Sequence, residues 1–384
     1  MTQPNENKII HVMADEKFND MAIRQFEEEA RGVNEFWIVA KELILTKSPL
    51  ARKCTLDELL QQLSRSNVAG VIFHGLLPTY YRLLRHIPDD KCVVWLGWGY
   101  DYYSLLKHEN EDSRILPKSK YLQSPPFKNC AKRILNPFLD KLRLIKNRAS
   151  VSDLKRIDYF SPVLDIEYAM VLRHVQLRAK YITWNYGTAE DDLSLPDMSY
   201  TTGTNILVGN SATATNNHVE IFEAIRRNVD LTNRKVIVPL SYGDLYYRSK
   251  VIEQGERILG EAFSPLITFM PKEQYLETVR SCGFVMMNHL RQQALGNICM
   301  AMLIGAKVYL NKQNPLTGWL ESRGAIMGST DGFNLEPLQE REKEINRQLI
   351  YSHWGRTHQR IKTERLIKAI QNYRKHRDEP IPLN

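Results

Sequence analysis

Short apolar runs alternate with amphipathic stretches along most of the chain. In the first half, the predicted strands are Lys8–Val12, Phe36–Val39, Gly70–Phe73 and Cys92–Leu96. Helical stretches lie between them and begin at helix-start signals, namely the capping-box pair Thr55 and Glu58, and Pro78. Repeated strand and helix units of this kind predict an α/β fold with a mostly parallel sheet, covered by helices on both faces.

The loops that follow these strands contain many titratable and aromatic groups. Parallel strands end at the same edge of a sheet, so we expect the loops to meet in one crevice. The residues concerned are His11, Asp15, Glu16, His74 and the segment Trp98–Tyr103. Packing alone does not require such a collection, which therefore marks a candidate functional surface.

The second half contains a strand, a small polar loop and a helix between Asn205 and Glu220. Gly209, Asn210 and Ser211 form a loop that lets backbone N–H groups approach a ligand closely. Asn217 and Glu220 have capping-box spacing, and a helix N-terminus favours negative charge. The segment predicts a phosphate site, although an ordinary turn between strand and helix is the alternative, because the full G-x-G-x-x-G pattern is absent.

A second unit of this type spans Gly283 to Leu310. The apolar run Phe284–Met287 leads into a polar turn, and Gly296 with Asn297 opens an apolar helix that ends near Gly305. Arg291 in the turn offers a planar guanidinium suited to a diphosphate. The alternative is a surface or salt-bridged arginine.

Length and composition set further limits. A chain of 384 residues fits two domains, and no apolar run approaches the eighteen or so residues that span a bilayer. The polar N-terminal residues lack the apolar core of a signal peptide, so we expect a cytoplasmic protein. Its five cysteines are scattered and contain no C-x-x-C pair, which indicates reduced core thiols.

Positive charge is concentrated in one region. The chain carries a net charge of +8, and Lys118–Arg156 contains eleven basic residues against two acids. Apolar residues interleave with the basic ones in Lys128–Arg148, which predicts basic amphipathic helices suited to an anionic membrane surface. Nucleic acid is the rival partner, but no helix-turn-helix, zinc or RNP pattern accompanies the charge. A solvated helix face is the third interpretation.

Domain boundaries are predicted from composition. The polar stretch Asn185–Gly203 is the expected linker between halves. A charged C-terminal helix, Trp354–Arg377, is long enough to pack back across a neighbouring domain. We therefore expect an N-terminal domain at 1–190, a second domain at 204–350, and a returning helix within 351–384.

Several motifs resemble glycosyltransferase family 56, whose members move 4-acetamido-4,6-dideoxygalactose from a dTDP donor to a lipid-linked saccharide in enterobacterial common antigen synthesis. Weaker matches in the first half are I-H-V at Ile10–Val12, F-H-G at Phe73–Gly75 and W-G-x-D at Trp98–Asp101. The stronger matches are I-L-V-G-N-S (Ile206–Ser211), N-x-H (Asn216, His218), V-I-V-P-L-S-Y (Val236–Tyr242), R-Q-Q-x-x-G (Arg291–Gly296) and N-x-x-N-P (Asn311, Asn314, Pro315).

The resemblance implies a GT-B fold, with two Rossmann-like domains facing across a cleft, the donor on the C-terminal side and the acceptor on the N-terminal side. It also implies transfer without a bound metal or cofactor, and no convincing D-x-D motif occurs in the sequence. Gln292 and Met300 stand where many GT-B donor domains carry glutamates, which favours a donor held by amides, Arg291 and backbone N–H groups. The expected donor-binding residues are Gly209, Asn210, Ser211, Asn216, Tyr242, Phe269, Met270, Arg291, Gln292, Gln293, Gly296 and Asn297.

The expected reaction moves a deoxyamino sugar from a dTDP-sugar, with another nucleotide left open, to a polyprenyl-diphosphate-linked glycan at the cytoplasmic face of the bacterial inner membrane. Asp101 is the first candidate for the general base, and His74, His11 and Asp15 are the others. Asp101 could instead cap the helix that follows it. A nucleotide-sugar epimerase and a non-catalytic basic membrane- or RNA-binding protein are the alternative functions.

Overall fold

The computed structural model describes residues 7–106, 111–123, 152–175, 177–194, 199–200 and 203–373. These residues form two compact units. Unit 1 contains the described residues within Met1–Lys107, Asn136–Gly187 and Thr357–Asn384, and unit 2 contains those within His108–Leu135 and Thr188–Arg356. The predicted basic helices of Lys128–Arg148 lie outside the described residues.

Unit 1 is built on a seven-stranded parallel sheet, as the alternating pattern predicted. Its strands are β1 (Lys8–Met13), β2 (Asn34–Val39), β3 (Ala51–Cys54), β4 (Val68–His74), β5 (Cys92–Leu96), β6 (Tyr159–Ser161) and β7 (Lys180–Tyr181). They lie in the order β3-β2-β1-β4-β5-β6-β7. The connections run in opposite directions from β1 and β4, so the loops after these two strands leave a crevice at the carboxyl end of the sheet.

The helices of unit 1 include two that begin at the predicted start signals, one at the Thr55 and Glu58 pair and one at Pro78. The helices of this unit are α1 (Asn19–Glu29), α2 (Leu56–Leu63), α3 (Tyr100–Tyr103), α5 (Asp165–His174) and α12 (Arg356–Gln371), with 3₁₀ helices at Pro78–His86 and Ser152–Arg156. The capping box of Thr55 and Glu58 is present and starts α2. Strand β3, with the sequence ARKC, was not predicted, because an edge strand needs little apolar surface.

Apolar side chains cover both faces of this sheet. On one face, Leu366, Ile367 and Ile370 of α12 join the core formed with β1, β2 and β4. Gly70 in β4 allows this close approach, since a Cβ there would lie 2.6 Å from Cγ2 of Ile370. The prediction that the C-terminal helix packs on the N-terminal sheet is therefore confirmed. Within the range 354–377 expected for this helix, α12 begins at Arg356, because the extended backbone of Gly355 separates it from the helix before it, and residues 374–377 lie outside the described residues.

Unit 2 is built on a six-stranded parallel sheet with the order β10-β9-β8-β11-β12-β13. Its strands are β8 (Asn205–Val208), β9 (Val236–Pro239), β10 (Phe263–Leu266), β11 (Cys282–Met287), β12 (Lys307–Leu310) and β13 (Gly328–Ser329). Its helices are α4 (Pro117–Lys120), α6 (His218–Asn228), α7 (Leu245–Leu259), α8 (Lys272–Arg280), α9 (Leu295–Leu303), α10 (Pro315–Glu321) and α11 (Glu340–Trp354). The corresponding crevice lies between the loops that follow β8 and β11.

One segment of the expected N-terminal domain belongs to unit 2. Residues 111–123, which include α4, pack against α6. The main chain N–H groups of Lys118 and Ser119 donate to Oε1 of Glu220 at 2.8 and 3.0 Å. These hydrogen bonds fix the segment on α6, and unit 1 accordingly consists of several separate sequence segments.

Four cysteines lie within the described residues, and all are buried free thiols: Cys54, Cys92, Cys282 and Cys299. Burial raises the pKa of Cys54 to about 11 and that of Cys282 to about 12, which keeps both protonated near neutral pH. In the described part of the chain, no helix combines the length and the apolar character that crossing a bilayer requires.

Candidate functional site

The loop after β8 starts with a glycine that the local geometry requires. Gly209 adopts a left-handed backbone conformation with φ of 68°. A Cβ at this position would lie 2.7 Å from Oδ1 of Asn216 and 2.9 Å from Nε2 of His218. Both distances are too short for a carbon atom, so glycine lets the loop lie directly on the Asn216 amide.

Asn216 joins the loops that follow β8 and β11. Its Oδ1 accepts hydrogen bonds from the main chain N–H of Asn210 at 2.8 Å and from Nε2 of His289 at 3.0 Å. Its amide nitrogen donates to Oγ of Ser211 and to the carbonyl oxygen of Thr213. The structure thus places two predicted donor residues, Asn216 and Ser211, in the buried support of the loop.

His289 is a candidate site residue that was not predicted from the sequence. Its ring is buried, and burial lowers its pKa well below the usual value, with Arg291 and His218 adding to the effect. The neutral ring donates through Nε2, which leaves Nδ1 as an acceptor without a partner among the described residues. Its position between Asn288 and Arg291, at the end of a buried strand, was the available signal.

The rim of this crevice is formed by amide and phenol groups. Nδ2 of Asn210 donates to the hydroxyl of Tyr242 at 2.9 Å, and Nε2 of Gln293 donates to Oδ1 of Asn210 at 3.2 Å. Oε1 of Gln293 in turn accepts from the hydroxyl of Thr215. Three predicted donor residues therefore meet at the carboxyl end of the sheet.

The predicted nucleoside contacts lie on exposed surface. The side chain of Phe269 is 79% exposed, and that of Tyr242 is 47% exposed. Phe269 and Met270 lie on the loop between β10 and α8. An aromatic ring exposed to this extent can accept a planar base.

The N-terminus of α9 is suited to an anion. Its N-cap residue is Ala294, in the left-handed conformation, and no side chain caps the helix or places an acid in its first turn. The first hydrogen bond of the helix runs from the N–H of Ile298 to the carbonyl of Ala294. The N–H groups of Leu295, Gly296 and Asn297 therefore precede the hydrogen bonds within the helix. Gly296 is exposed, and a Cβ there would meet only Leu193, at 3.9 Å. These N–H groups and the helix dipole together attract negative charge.

Arg291 and Gln292 lie just before this helix. Nη1 of Arg291 donates to the carbonyl oxygen of Gln292 at 3.1 Å, which holds the guanidinium on the loop, and the Gln292 side chain is buried. The loop thus adds a permanent positive charge to the region of the uncapped helix.

The capping box predicted for Asn217 and Glu220 is wrong. Asn217 is left-handed, and its side chain makes no cap hydrogen bond. Its Oδ1 instead accepts from the N–H of Leu116 at 2.7 Å, and the N–H of Val219 donates to Oγ of Ser119. The segment around α4 therefore covers the N-terminus of α6, whereas no side chain caps the N-terminus of α9.

In unit 1, His11 and His74 form a buried chain of hydrogen bonds. Nε2 of His11 donates to Oδ1 of Asn34 at 3.1 Å, because the Asn34 amide nitrogen faces main chain carbonyls. Nδ1 of His11 then accepts from Nε2 of His74 at 2.9 Å, and Nδ1 of His74 accepts from the hydroxyl of Tyr186 at 2.9 Å. Burial lowers the pKa of His11 to about 3 and that of His74 well below its usual value. Both rings are neutral, and all four ring nitrogens have partners.

Asp101 is engaged by the protein itself. Its carboxylate accepts from the N–H of Leu76 at 3.0 Å, from Nε1 of Trp95 at 2.8 Å and from the N–H of Trp98 at 2.9 Å. Burial raises its pKa, although these donors oppose the rise. The contacts favour a structural role, in which Asp101 fastens the loops after β4 and β5, over the expected role as first choice of general base.

Asp15 also holds a loop. It accepts from the N–H groups of Ile44, Leu45 and Thr46 and from the Thr46 hydroxyl. Burial acts to raise its pKa, but the hydrogen bonds outweigh burial and lower the pKa below its usual value. A strongly solvated carboxylate of this kind is a weak proton acceptor. The four predicted catalytic side chains thus have their lone pairs largely occupied.

The sequence pattern described as 4-alpha-L-fucosyltransferase glycosyl transferase group 56 matches residues 150–350, more than half of the chain. This chain belongs to glycosyltransferase family 56. The predicted family is thereby confirmed, and the transferase interpretation holds over the epimerase-like and non-catalytic alternatives.

Solved structures with the same fold include three that align along nearly the whole chain. An α,α-trehalose 6-phosphate synthase from Burkholderia multivorans has a TM-score of 0.62 at 11% identity, with 98% of this chain and 100% of that chain covered. A glycosyltransferase from Rickettsia africae has a TM-score of 0.58 at 10% identity, with coverage of 98% and 100%. Anabaena Alr3699/HepE in complex with UDP and glucose has a TM-score of 0.56 at 11% identity, with coverage of 96% and 95%. The likeness confirms the predicted GT-B fold of this family 56 chain.

Proposed function

We propose that this protein transfers 4-acetamido-4,6-dideoxygalactose from a dTDP-sugar to a polyprenyl-diphosphate-linked saccharide at the cytoplasmic face of the bacterial inner membrane. Unit 2 binds the donor and unit 1 binds the acceptor. The family description names a fucosyltransferase, and fucose shares the 6-deoxygalactose ring with the proposed sugar. The motifs around Gly209, Tyr242 and Arg291 support the dTDP-linked donor within that family.

The observation that carries the proposal is the uncapped N-terminus of α9 beside Arg291. When the glycosidic bond breaks, negative charge grows on the diphosphate leaving group. Preorganised N–H groups and a guanidinium stabilise that charge without reorganisation. No acid lies in the first turn of α9, so that turn places no like charge beside the leaving group. Gly296 leaves the phosphate room to approach the backbone.

The remaining donor contacts follow from the crevice after β8 and β11. We place the nucleoside against Tyr242 and the Phe269–Met270 loop, and the phosphates against Asn210, Gln293 and Asn297. Anabaena Alr3699/HepE, which shares the fold, has been solved with UDP-glucose, which supports a nucleotide-sugar donor here. Amide groups and Arg291 can hold such a donor without a metal ion. In the described part of the chain, no three His, Cys, Asp or Glu side chains cluster to form a metal site.

Membrane association is assigned to the basic stretch Lys128–Arg148. Each basic residue near an anionic surface contributes about 1 kcal/mol, so a cluster of this size is sufficient for reversible peripheral binding. This location would bring the enzyme to its lipid-linked acceptor.

The donor site is tested by Arg291→Ala. A hydrogen bond to a charged group contributes about 1.5–3 kcal/mol, so we expect dTDP affinity to fall by about 10- to 150-fold in calorimetry. Arg227→Ala is the matched control, because Arg227 is an exposed arginine of unit 2 that pairs only weakly with Glu223, at 3.4 Å. Equal dTDP affinity in both variants would remove Arg291 from the site.

The reaction is tested by incubating the wild-type protein with farnesyl-diphosphate-linked saccharides and a panel of dTDP-, UDP- and GDP-sugars. We expect transfer from the dTDP-linked deoxyamino sugar to be fastest. Transfer only from UDP- or GDP-hexoses would refute the proposed donor.

A further inference from the structure

Four aromatic rings meet at the carboxyl end of the unit 1 sheet. Phe18 follows β1, Trp98 and Tyr100 follow β5, and Tyr186 follows β7. The Trp98 ring lies 5.8 Å from that of Phe18, 6.1 Å from that of Tyr100 and 5.3 Å from that of Tyr186, measured between centroids. None of the four is fully buried, and Tyr100 is 43% exposed. They form a partly exposed aromatic surface at the crevice between β1 and β4.

The main chain beside the four aromatic rings holds them in position. Gly75, at the end of β4, has a left-handed φ of 73°, and a Cβ there would lie 3.4 Å from the hydroxyl of Tyr100 and 3.5 Å from the Trp98 ring. Asp101 fastens the adjoining loops through the N–H groups of Leu76 and Trp98. The rings are therefore positioned before any ligand arrives, which reduces the entropy cost of binding.

Aromatic faces of this kind suit a pyranose ring. The face of an aromatic ring carries partial negative charge, and it attracts the polarised C–H bonds on one face of a sugar. Tyrosine and tryptophan also offer polar groups to the sugar hydroxyls. An extended apolar chain would need a deeper and more continuous apolar surface than four partly exposed rings provide.

Glu16 lies on the loop between β1 and α1, next to this surface. It interacts electrostatically with Tyr100. Within the described chain, its carboxylate has no hydrogen-bond donor, whereas the carboxylates of Asp15 and Asp101 are each held by several. The half-buried carboxyl of Glu16 has a raised pKa because of burial, Lys17 partly opposes this rise, and Asp15 adds to it. Of the three acids Asp15, Glu16 and Asp101, Glu16 is thus the one whose carboxylate accepts no hydrogen bond from the described residues.

We infer that Phe18, Trp98, Tyr100 and Tyr186 bind a pyranose of the acceptor, and that Glu16 takes the proton from the acceptor hydroxyl. The inference rests on the proposed function. The acceptor oxygen forms a bond to C1 of the donor sugar, and its proton moves to the Glu16 carboxylate. The bond between C1 and the phosphate oxygen breaks, and its electron pair leaves with the nucleoside diphosphate.

The test of the proton acceptor is Glu16→Gln, which preserves size and polarity. We expect transfer to farnesyl-diphosphate-linked saccharides to fall by about 10²- to 10⁴-fold, with dTDP affinity and Tm unchanged. Glu42→Gln is the matched control, because Glu42 is an exposed glutamate on a nearby loop of unit 1. The acidic limb of the wild-type pH–rate profile should lie above the pH of about 4.3 typical of glutamate, and Glu16→Gln should lose this limb. Near-normal transfer by Glu16→Gln would overturn the assignment.

The aromatic site is tested separately by saturation-transfer NMR with the same saccharides. Trp98→Ala and Tyr100→Ala should each weaken saccharide binding at least tenfold while dTDP affinity stays constant, and Tm reports whether each variant is folded. Unchanged saccharide binding in both folded variants would overturn the aromatic site. A wild-type protein that binds saccharides through these rings but transfers no sugar would refute the proposed function and the role of Glu16, and would leave the aromatic site standing.

Discussion

Replacement of Gly209 by alanine isolates the contact on which the donor loop is built. Two costs are expected. The left-handed φ of 68° costs an alanine about 1–2 kcal/mol. The new Cβ would also lie 2.7 Å from Oδ1 of Asn216, which cannot move away without weakening its hydrogen bonds from Asn210 and His289. Overpacking of this kind costs about 1–3 kcal/mol more.

Gly324→Ala separates these two costs. Gly324 is also left-handed, with φ of 81°, but a Cβ there would meet no atom within 4 Å. The left-handed backbone conformation therefore destabilises both variants, and the close Cβ contact destabilises only Gly209→Ala. With a difference of about 2 kcal/mol, Gly209→Ala should have a Tm about 4–8 °C below that of Gly324→Ala.

Differential scanning calorimetry measures the two Tm values, and titration calorimetry measures dTDP binding. We expect Gly324→Ala to bind dTDP as the wild type does, because it lies away from the crevice after β8 and β11. Gly209→Ala should bind dTDP at least tenfold more weakly, since the loop that carries Asn210 is displaced. Equal Tm values and equal dTDP affinities for the two variants would refute the reasoning.

Three further predictions concern other parts of the protein. Asp101→Asn should lower both Tm and turnover, because the amide nitrogen of the new asparagine would face N–H donors at a cost of about 1–3 kcal/mol. Lost turnover at an unchanged Tm would instead make Asp101 the general base. The free energy of unfolding should decrease as pH falls from about 6.5 towards 3. His11 and His218 each have a pKa of about 3 in the folded protein and stay neutral there, whereas the same histidines in the unfolded chain bind protons. A urea midpoint that is equal at pH 7 and pH 5 would contradict this. Sedimentation with anionic liposomes should be abolished when four basic residues are converted to glutamate, namely Lys132, Arg133, Lys141 and Arg143. Binding of the wild-type protein should weaken as salt is added. Liposome binding that changes neither with these substitutions nor with salt would refute the membrane contact.

The sequence alone determined the architecture because hydrophobic periodicity reflects burial directly. The runs at Cys92–Leu96 and Phe284–Met287 are apolar throughout, since strands covered on both faces must be. The signals at Thr55 and Glu58 act locally, through a side chain and a main chain only three residues apart, and they therefore marked the start of α2 correctly. Motifs after the strands identified the loops that form both crevices.

Only the tertiary structure decided how individual polar groups are used. Asn217 and Glu220 have the spacing of a capping box, yet a segment about a hundred residues earlier takes their hydrogen bonds, and no local pattern encodes such a competitor. Asp101 and Glu16 are both acids after a strand in the sequence. The fold surrounds Asp101 with three N–H donors and leaves Glu16 without one in the described chain. Whether a carboxylate fixes loops or stays available as a proton acceptor depends on the hydrogen-bond donors that distant residues bring to it. The sequence therefore indicated the candidate edge of each sheet but not the role of each side chain there.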